Sequence, residues 1–146
     1  MDEIEIRDQA QAFIEDELDR LRLQTVDSLR EIVGPPPKIS PETAGPLLGV
    51  SYSTVYRWLG CPFSKLYLPQ VDQIPELAAF IGRVNSLREA WLDVLTGWRA
   101  DGNEDLKRVF YHPGLVAVIE SDIPLEEKAR KLIRKTVSAL AKEGER

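Results

Sequence analysis

Cysteine, histidine and methionine each occur once in the 146 residues. A single thiol, Cys61, excludes an internal disulfide and leaves a thiolate-built metal site without ligands. A single imidazole, His112, lacks the companions that a zinc site needs. Cys61 precedes Pro62 with no acid or histidine nearby, so it reads as a small buried apolar group, and His112-Pro113-Gly114 reads as a turn. Also missing is any run of about 18 apolar residues able to span a bilayer. Met1-Asp2-Glu3-Ile4-Glu5 is acidic where a signal peptide has positive charge followed by an apolar stretch. A cytoplasmic chain with no membrane partner is expected. No Gly-x-x-x-x-Gly-Lys loop is present to cradle phosphates. The acidic pairs Glu104-Asp105 and Glu126-Glu127 stand at expected helix starts, where the helix dipole accounts for them. No catalytic residue, cofactor or metal is expected, and the chain does not read as an enzyme.

Positive charge is also in deficit, with a formal net charge of −5, but the deficit is unevenly spread. Residues 1–33 hold ten acids against four bases, whereas residues 34–71 hold Lys38, Arg57 and Lys65 against Glu42 alone. Residues 124–146 hold seven bases against four acids. Such a balance argues against a broad phosphate-coating protein and permits a binder with one small contact face. What is plentiful is ordinary globular material: 43% hydrophobic and 29% charged residues. The length suits one domain of roughly 100–150 residues with an appended helix.

Apolar periodicity divides the chain into three parts. Residues 1–34 read as an amphipathic oligomerisation helix over 4–33, with Ile14, Leu18, Leu21, Leu29 and Ile32 recurring at helical spacing among crowded acids. Gly34 closes it. Pro35-Pro36-Pro37 cannot continue it, and three prolines favour a stiff extended spacer that sets this helix apart. Residues 35–72 form the second part. In the third, 73–146, Asp72 is positioned to cap a helix over 73–99. There Leu77, Phe80, Val84, Leu87, Trp91, Val94 and Trp98 alternate steps of three and four. The series fits either a coiled-coil seam or a globular core, and its Trp and Phe favour the core. Asn103 can cap a short helix through Phe110. Leu115 to Ile119 is too short for periodicity to separate strand from buried helix. A last helix over 124–142 turns Ala129, Leu132, Ile133, Thr136, Val137 and Leu140 one way. Lys128, Lys131, Arg134, Lys135 and Lys142 face the other way, as a solvated face, a phosphate contact or a partner for the acidic first helix. The expected class is mostly all-α: a helix-turn-helix core with long N-terminal and central helices and room for a short wing strand.

The second part carries the chemistry. Ser40 and Pro41 supply an N-cap and a first helical residue. Ala44, Leu47 and Leu48 give that helix an inward face, and small Gly45 permits close approach of a second helix. Gly49 takes the tight turn, Val50 plugs the space between the helices, and Ser51 caps a second helix whose Val55, Trp58 and Leu59 point inward. Left outward are Tyr52, Ser53, Thr54, Tyr56 and Arg57, whose hydroxyls, rings and guanidinium suit base edges and phosphates. Plain packing use of such a unit, with no nucleic acid, is the competing reading.

The stretch Leu47-Leu48-Gly49-Val50-Ser51 followed by Ser53-Thr54-Val55-Tyr56-Arg57-Trp58-Leu59 resembles the bacterial and phage helix-turn-helix superfamily, especially its excisionase and MerR-like group. The resemblance covers residues 39–59 and runs faintly to 82, through Lys65-Leu66-Tyr67-Leu68-Pro69, where that group has a wing strand. It implies a second helix entering the DNA major groove with residues 52–57 at the interface. Two positions depart from the pattern. Pro46 lies within the first helix, where it removes a hydrogen bond at a cost of about 3 kcal/mol and predicts a kink or a late start. Tyr52 stands where the group often has Arg, leaving Arg57 as the sole cation of the second helix.

The expected DNA-contacting set is Lys38, Ser51, Tyr52, Ser53, Thr54, Tyr56, Arg57 and Lys65, with Ser51 as cap and Lys38 and Lys65 as flanking phosphate contacts. One copy neutralises few phosphates, so useful binding calls for a homo-oligomer, with a dimer favoured. The first reading is an oligomeric regulator of transcription acting on double-stranded DNA. The second is a small terminase-like subunit for phage DNA packaging, in which a ring presents many weak contacts. The third is a protein-docking module that uses its acidic N-terminal helix and touches no DNA.

Overall fold

The computed structural model describes residues 2–61, 65–97, 102–110 and 112–144, which form seven α-helices and no β-strand. The first helix, α1, runs over Glu3–Ile32 and begins where the Asp2 carboxylate accepts the Glu5 N–H at 2.9 Å. Its two halves behave differently. Residues 3–17 are all exposed, about 22 Å of helix with no buried contact. Thr25, Val26 and Leu29, by contrast, are buried in the core.

That anchorage corrects the expectation of a helix set apart by Pro35-Pro36-Pro37. The three prolines form a tight turn instead. Gly34 N–H donates to the Ile39 carbonyl at 2.9 Å and Ile39 N–H to the Ile32 carbonyl at 3.0 Å, so the chain doubles back on the end of α1. Burial of Val33 and Ile39 on either side of the prolines holds the turn closed. The turn delivers the chain to α2 (Pro41–Leu48), which three residues join to α3 (Tyr52–Gly60). α2 runs through Pro46 from its start at Pro41, so it does not begin late. Pro46 is exposed and its ring needs no room in the core.

Residues 65–69, where a wing strand had room, hold a 3-10 turn at Lys65–Tyr67. Leu68 turns inward, and the Arg22 guanidinium binds the carbonyls of Leu68 and Pro69, so a side chain satisfies the backbone in place of a ladder. A second 3-10 turn, Val71–Gln73, contains Asp72; α4 (Ile74–Leu95) therefore starts from Gln73 rather than from an Asp72 cap. Its expected extension to 99 ends early because Gly97 adopts a left-handed φ of 92° just beyond Thr96. Trp98 and Arg99 lie outside the described residues.

Of the alternating series, Leu77, Phe80, Val84, Leu87 and Trp91 are buried in the chain's own core. Asn103 caps α5 (Glu104–Val109), its side chain accepting the Leu106 N–H at 2.9 Å. His112 sits at the start of α6 (Pro113–Ile119), where its Nδ1 accepts the Gly114 N–H at 3.2 Å; the short apolar run is thus helical. The last helix, α7 (Leu125–Gly144), lays the expected apolar face onto α4, α5 and α6. At the centre, the Trp91 indole N–H donates to Thr136 Oγ1 at 2.9 Å, and its ring stacks on Phe110. One hydrophobic cluster draws on all three sequence parts. No described helix is long and apolar enough to cross a membrane.

Candidate nucleic-acid interface

The close approach of α2 and α3 depends on two glycines. Gly49 adopts a left-handed φ of 73° and ends α2. Gly45 faces the turn itself: a Cβ there would lie 2.9 Å from the Val50 carbonyl oxygen and 3.2 Å from the Tyr52 nitrogen. With no side chain between them, the Val50 N–H reaches the Gly45 carbonyl at 3.0 Å. Val55 and Trp58 are buried and Leu59 is half-buried, so the inner face of α3 is spent on packing.

The outer face remains. Tyr52, Ser53, Tyr56 and Arg57 are exposed and Thr54 is half-buried. The hydroxyls at the start of α3 are partly committed. Ser51 Oγ accepts the Thr54 N–H at 3.3 Å, and it lies 3.0 Å from Ser53 Oγ and 2.9 Å from Thr54 Oγ1. Ser51 is therefore a cap first. The rings of Tyr52 and Tyr56 meet edge to face at 6.2 Å, forming one aromatic ledge on successive turns. Tyr56 Oη donates to the Glu42 carboxylate at 2.9 Å, tying α3 to α2 and holding the phenol above its ordinary pKa. Glu42 was not foreseen at this face, because a pairing across fourteen residues follows no helical repeat.

Arg57 forms no ion pair among the described residues. Lys38, expected as a flanking phosphate contact, sets its ammonium on the Arg30 carbonyl at 2.7 Å, closing the C-terminal end of α1. Lys65 belongs to the 3-10 turn, but its side chain lies outside the described residues. Cys61, expected to be buried, is an exposed free thiol, because it caps α3 beyond the last buried residue of that helix, Trp58. Among the described residues no cluster of histidine, cysteine and acids could hold a metal ion.

Arg30, on the last turn of α1, and Arg134, in the middle of α7, line an open groove beside Tyr56. Sequence gave no local signal for their position, since it follows from the proline turn and from α7 packing behind α2. Comparison with protein-family models, with curated proteins and with solved structures finds no match to this chain.

Proposed function

We propose that this chain is a cytoplasmic, oligomeric helix-turn-helix protein that binds double-stranded DNA and regulates transcription in a bacterium or phage. The observation that carries the proposal is the division of labour on α3. Its inner face is consumed by Val55, Trp58 and Leu59, while its outer face presents two tyrosines, Ser53 and an unpaired guanidinium to solvent. A helix packed only for stability gains nothing from exposing aromatic rings, and these groups match the donors and stacking surfaces used on base edges and phosphates. In this role Arg57 contacts a phosphate or a guanine edge, and Tyr52, Ser53 and Thr54 read bases or fix register.

Oligomerisation through α1 is the second half of the proposal. Ile6 and Phe13, and Ile14 and Leu21, are pairs seven residues apart, and each of the four is more than 40% exposed. Residues 3–17 bury none of their side chains, and helices gain most of their stability from packing an apolar face, so the projecting turns call for a partner. The accessible surface points the same way. It is 9493 Å², against about 7,500 Å² for a compact monomer of this mass. A second copy covering that stripe supplies the extra phosphate contacts that a single Arg57 cannot.

The test is binding of the full chain to mixed-sequence duplex DNA across a salt series. Arg57→Ala is expected to weaken binding and lower the slope of log affinity against log salt by about 0.9, one phosphate equivalent. An unchanged slope and affinity rejects α3 as the contact surface. Light scattering on the same sample separates a regulator of two or four copies from a packaging ring of eight or more.

A further inference from the structure

Beside α3 lies an open groove of about 670 Å³, bordered by the end of α1, the proline turn, α2 and α7. Its charged lining is Arg30, Lys38 and Arg134 against one carboxylate, Glu42, in a chain whose net charge is −5. We infer that this groove holds the sugar–phosphate backbone of one DNA strand while α3 lies in the adjoining major groove. The inference rests on the DNA-binding reading and adds to it a second contact surface, drawn from parts of the chain far from α3 in sequence.

Three observations carry it. First, the cations are available. Among the described residues neither Arg30 nor Arg134 forms an ion pair. Lys38 spends one of its three N–H donors on the Arg30 carbonyl, which keeps the ammonium at the groove and leaves two donors outward. Uncompensated positive charge concentrated on an acidic protein is the expected footprint of a polyanion site.

Second, the position is right. The groove meets α3 along Tyr56, Leu59 and Gly60. On a helix advancing about 100° per residue, Arg57 lies roughly 60–160° around from these three, about 100° on average. α3 thus meets the groove cations on one side and presents Arg57 on the adjoining one. A helix seated in a major groove about 12 Å wide has a phosphate strand on each side, so each strand meets positive charge.

Third, the walls are stiff. Pro35 and Pro36 form one side, and the hydrogen bonds that close their turn hold Lys38 in place. Little ordering entropy is lost on binding. Beyond the groove, Lys38 lines a neighbouring hollow with Arg130 and with Arg88, which is paired to Glu126 at 3.4 Å, and Glu31 opposes them there.

Anisotropy titration of a duplex of about 20 base pairs, two helical turns, tests the inference on the full chain. The paired variant Arg30→Gln with Arg134→Gln is expected to lower the salt slope by about 1.8 and, with affinities converging at 1 M, to weaken binding roughly 60-fold at 0.1 M salt. Arg30→Lys with Arg134→Lys retains the slope, because charge rather than shape is read. Glu42→Gln tightens binding, since it removes the groove's carboxylate and keeps an acceptor for Tyr56. An unchanged slope in the glutamine pair, with Arg57→Ala still lowering it, overturns the groove and leaves α3 as the interface. If the wild-type chain binds no duplex, both readings fall together. A calorimetric signal for inorganic phosphate that the glutamine pair abolishes, with no change in duplex slope, assigns the groove to a free anion and also overturns the inference. Equal melting temperatures of all variants confirm that folding is not the quantity being read.

Discussion

Replacing Gly45 with alanine adds one methyl group at the place where α2, the turn and α3 come closest. All three nearest atoms are backbone: the Val50 oxygen at 2.9 Å, the Tyr52 nitrogen at 3.2 Å and the Ser51 carbonyl carbon at 3.3 Å. None can swing away, so the turn must shift and α3 with it. Overpacking of this kind costs about 1–3 kcal/mol. Alanine also restores helix propensity worth about 1 kcal/mol over glycine, leaving a net loss of up to about 2 kcal/mol. Gly82, inside α4, is the control, because a Cβ there meets nothing within 4 Å. Gly82→Ala therefore keeps the propensity gain and escapes the clash. It is expected to raise the melting temperature by about 2–4 °C, where Gly45→Ala leaves it level or lowers it. Thermal and urea unfolding, each followed by far-ultraviolet circular dichroism, give the melting temperature and the unfolding free energy of both variants. The difference between the two variants isolates the steric contribution and should fall near 1–3 kcal/mol. Equal stabilisation by both substitutions refutes the idea that this glycine sets the approach of the two helices.

Thr136→Val leaves the buried Trp91 indole N–H without an acceptor, and a loss of about 1–3 kcal/mol in unfolding free energy is expected; no change in the urea midpoint rejects a structural role for this hydrogen bond. Asp105 accepts two hydrogen bonds from the Arg83 guanidinium, which holds its carboxyl below the ordinary value of 3.8. A folded-state pKa that is lowered means stability present above the ordinary value and lost as pH falls through the lowered one. Asp105→Asn should thus cost up to about 1 kcal/mol at neutral pH, discounted for the half-exposed Arg83, and converge with wild type in acid; a constant difference at every pH contradicts the assignment. Charge introduced on the outer stripe of α1, as Phe13→Asp with Ile14→Asp, should lower the mass measured by light scattering while leaving the monomer's melting unchanged, and an unaltered mass rejects this stripe as the joining surface.

Much of the local architecture was legible because local chemistry decides it. Ser40, Ser51 and Asn103 each cap the helix that follows, and all three motifs are complete within four residues. The inner and outer sides of α3 were equally readable, since within a single turn Val55 and Trp58 fall on one side and Tyr56 and Arg57 on the other. Illegible features were those set by distance along the chain. α1 reads as one apolar stripe, yet it carries two: Ile6, Phe13, Ile14 and Leu21 outward, and Val26 and Leu29 inward, continued by the C-cap Val33. Periodicity alone cannot separate stripes that follow one another on a single helix. The three prolines misled for a similar reason. Intrinsic stiffness favours an extended spacer, but burial of Val33 and Ile39 on either side outweighs that preference. Arg30 and Arg134 could not be assigned beside Tyr56 without knowing that α7 packs behind α2.

The anchored end of α1 has a mechanical consequence. Val26 and Leu29 are fully buried, and the Arg22 guanidinium clamps the same helix to the carbonyls of Leu68 and Pro69. A continuous helix bends little over so short a span, so its free turns point along a fixed bearing relative to α3 instead of swivelling on a hinge. A partner gripping those turns would therefore be held at a set offset from α3. If two copies join there, as proposed, that offset acts as a ruler for the interval separating their α3 helices.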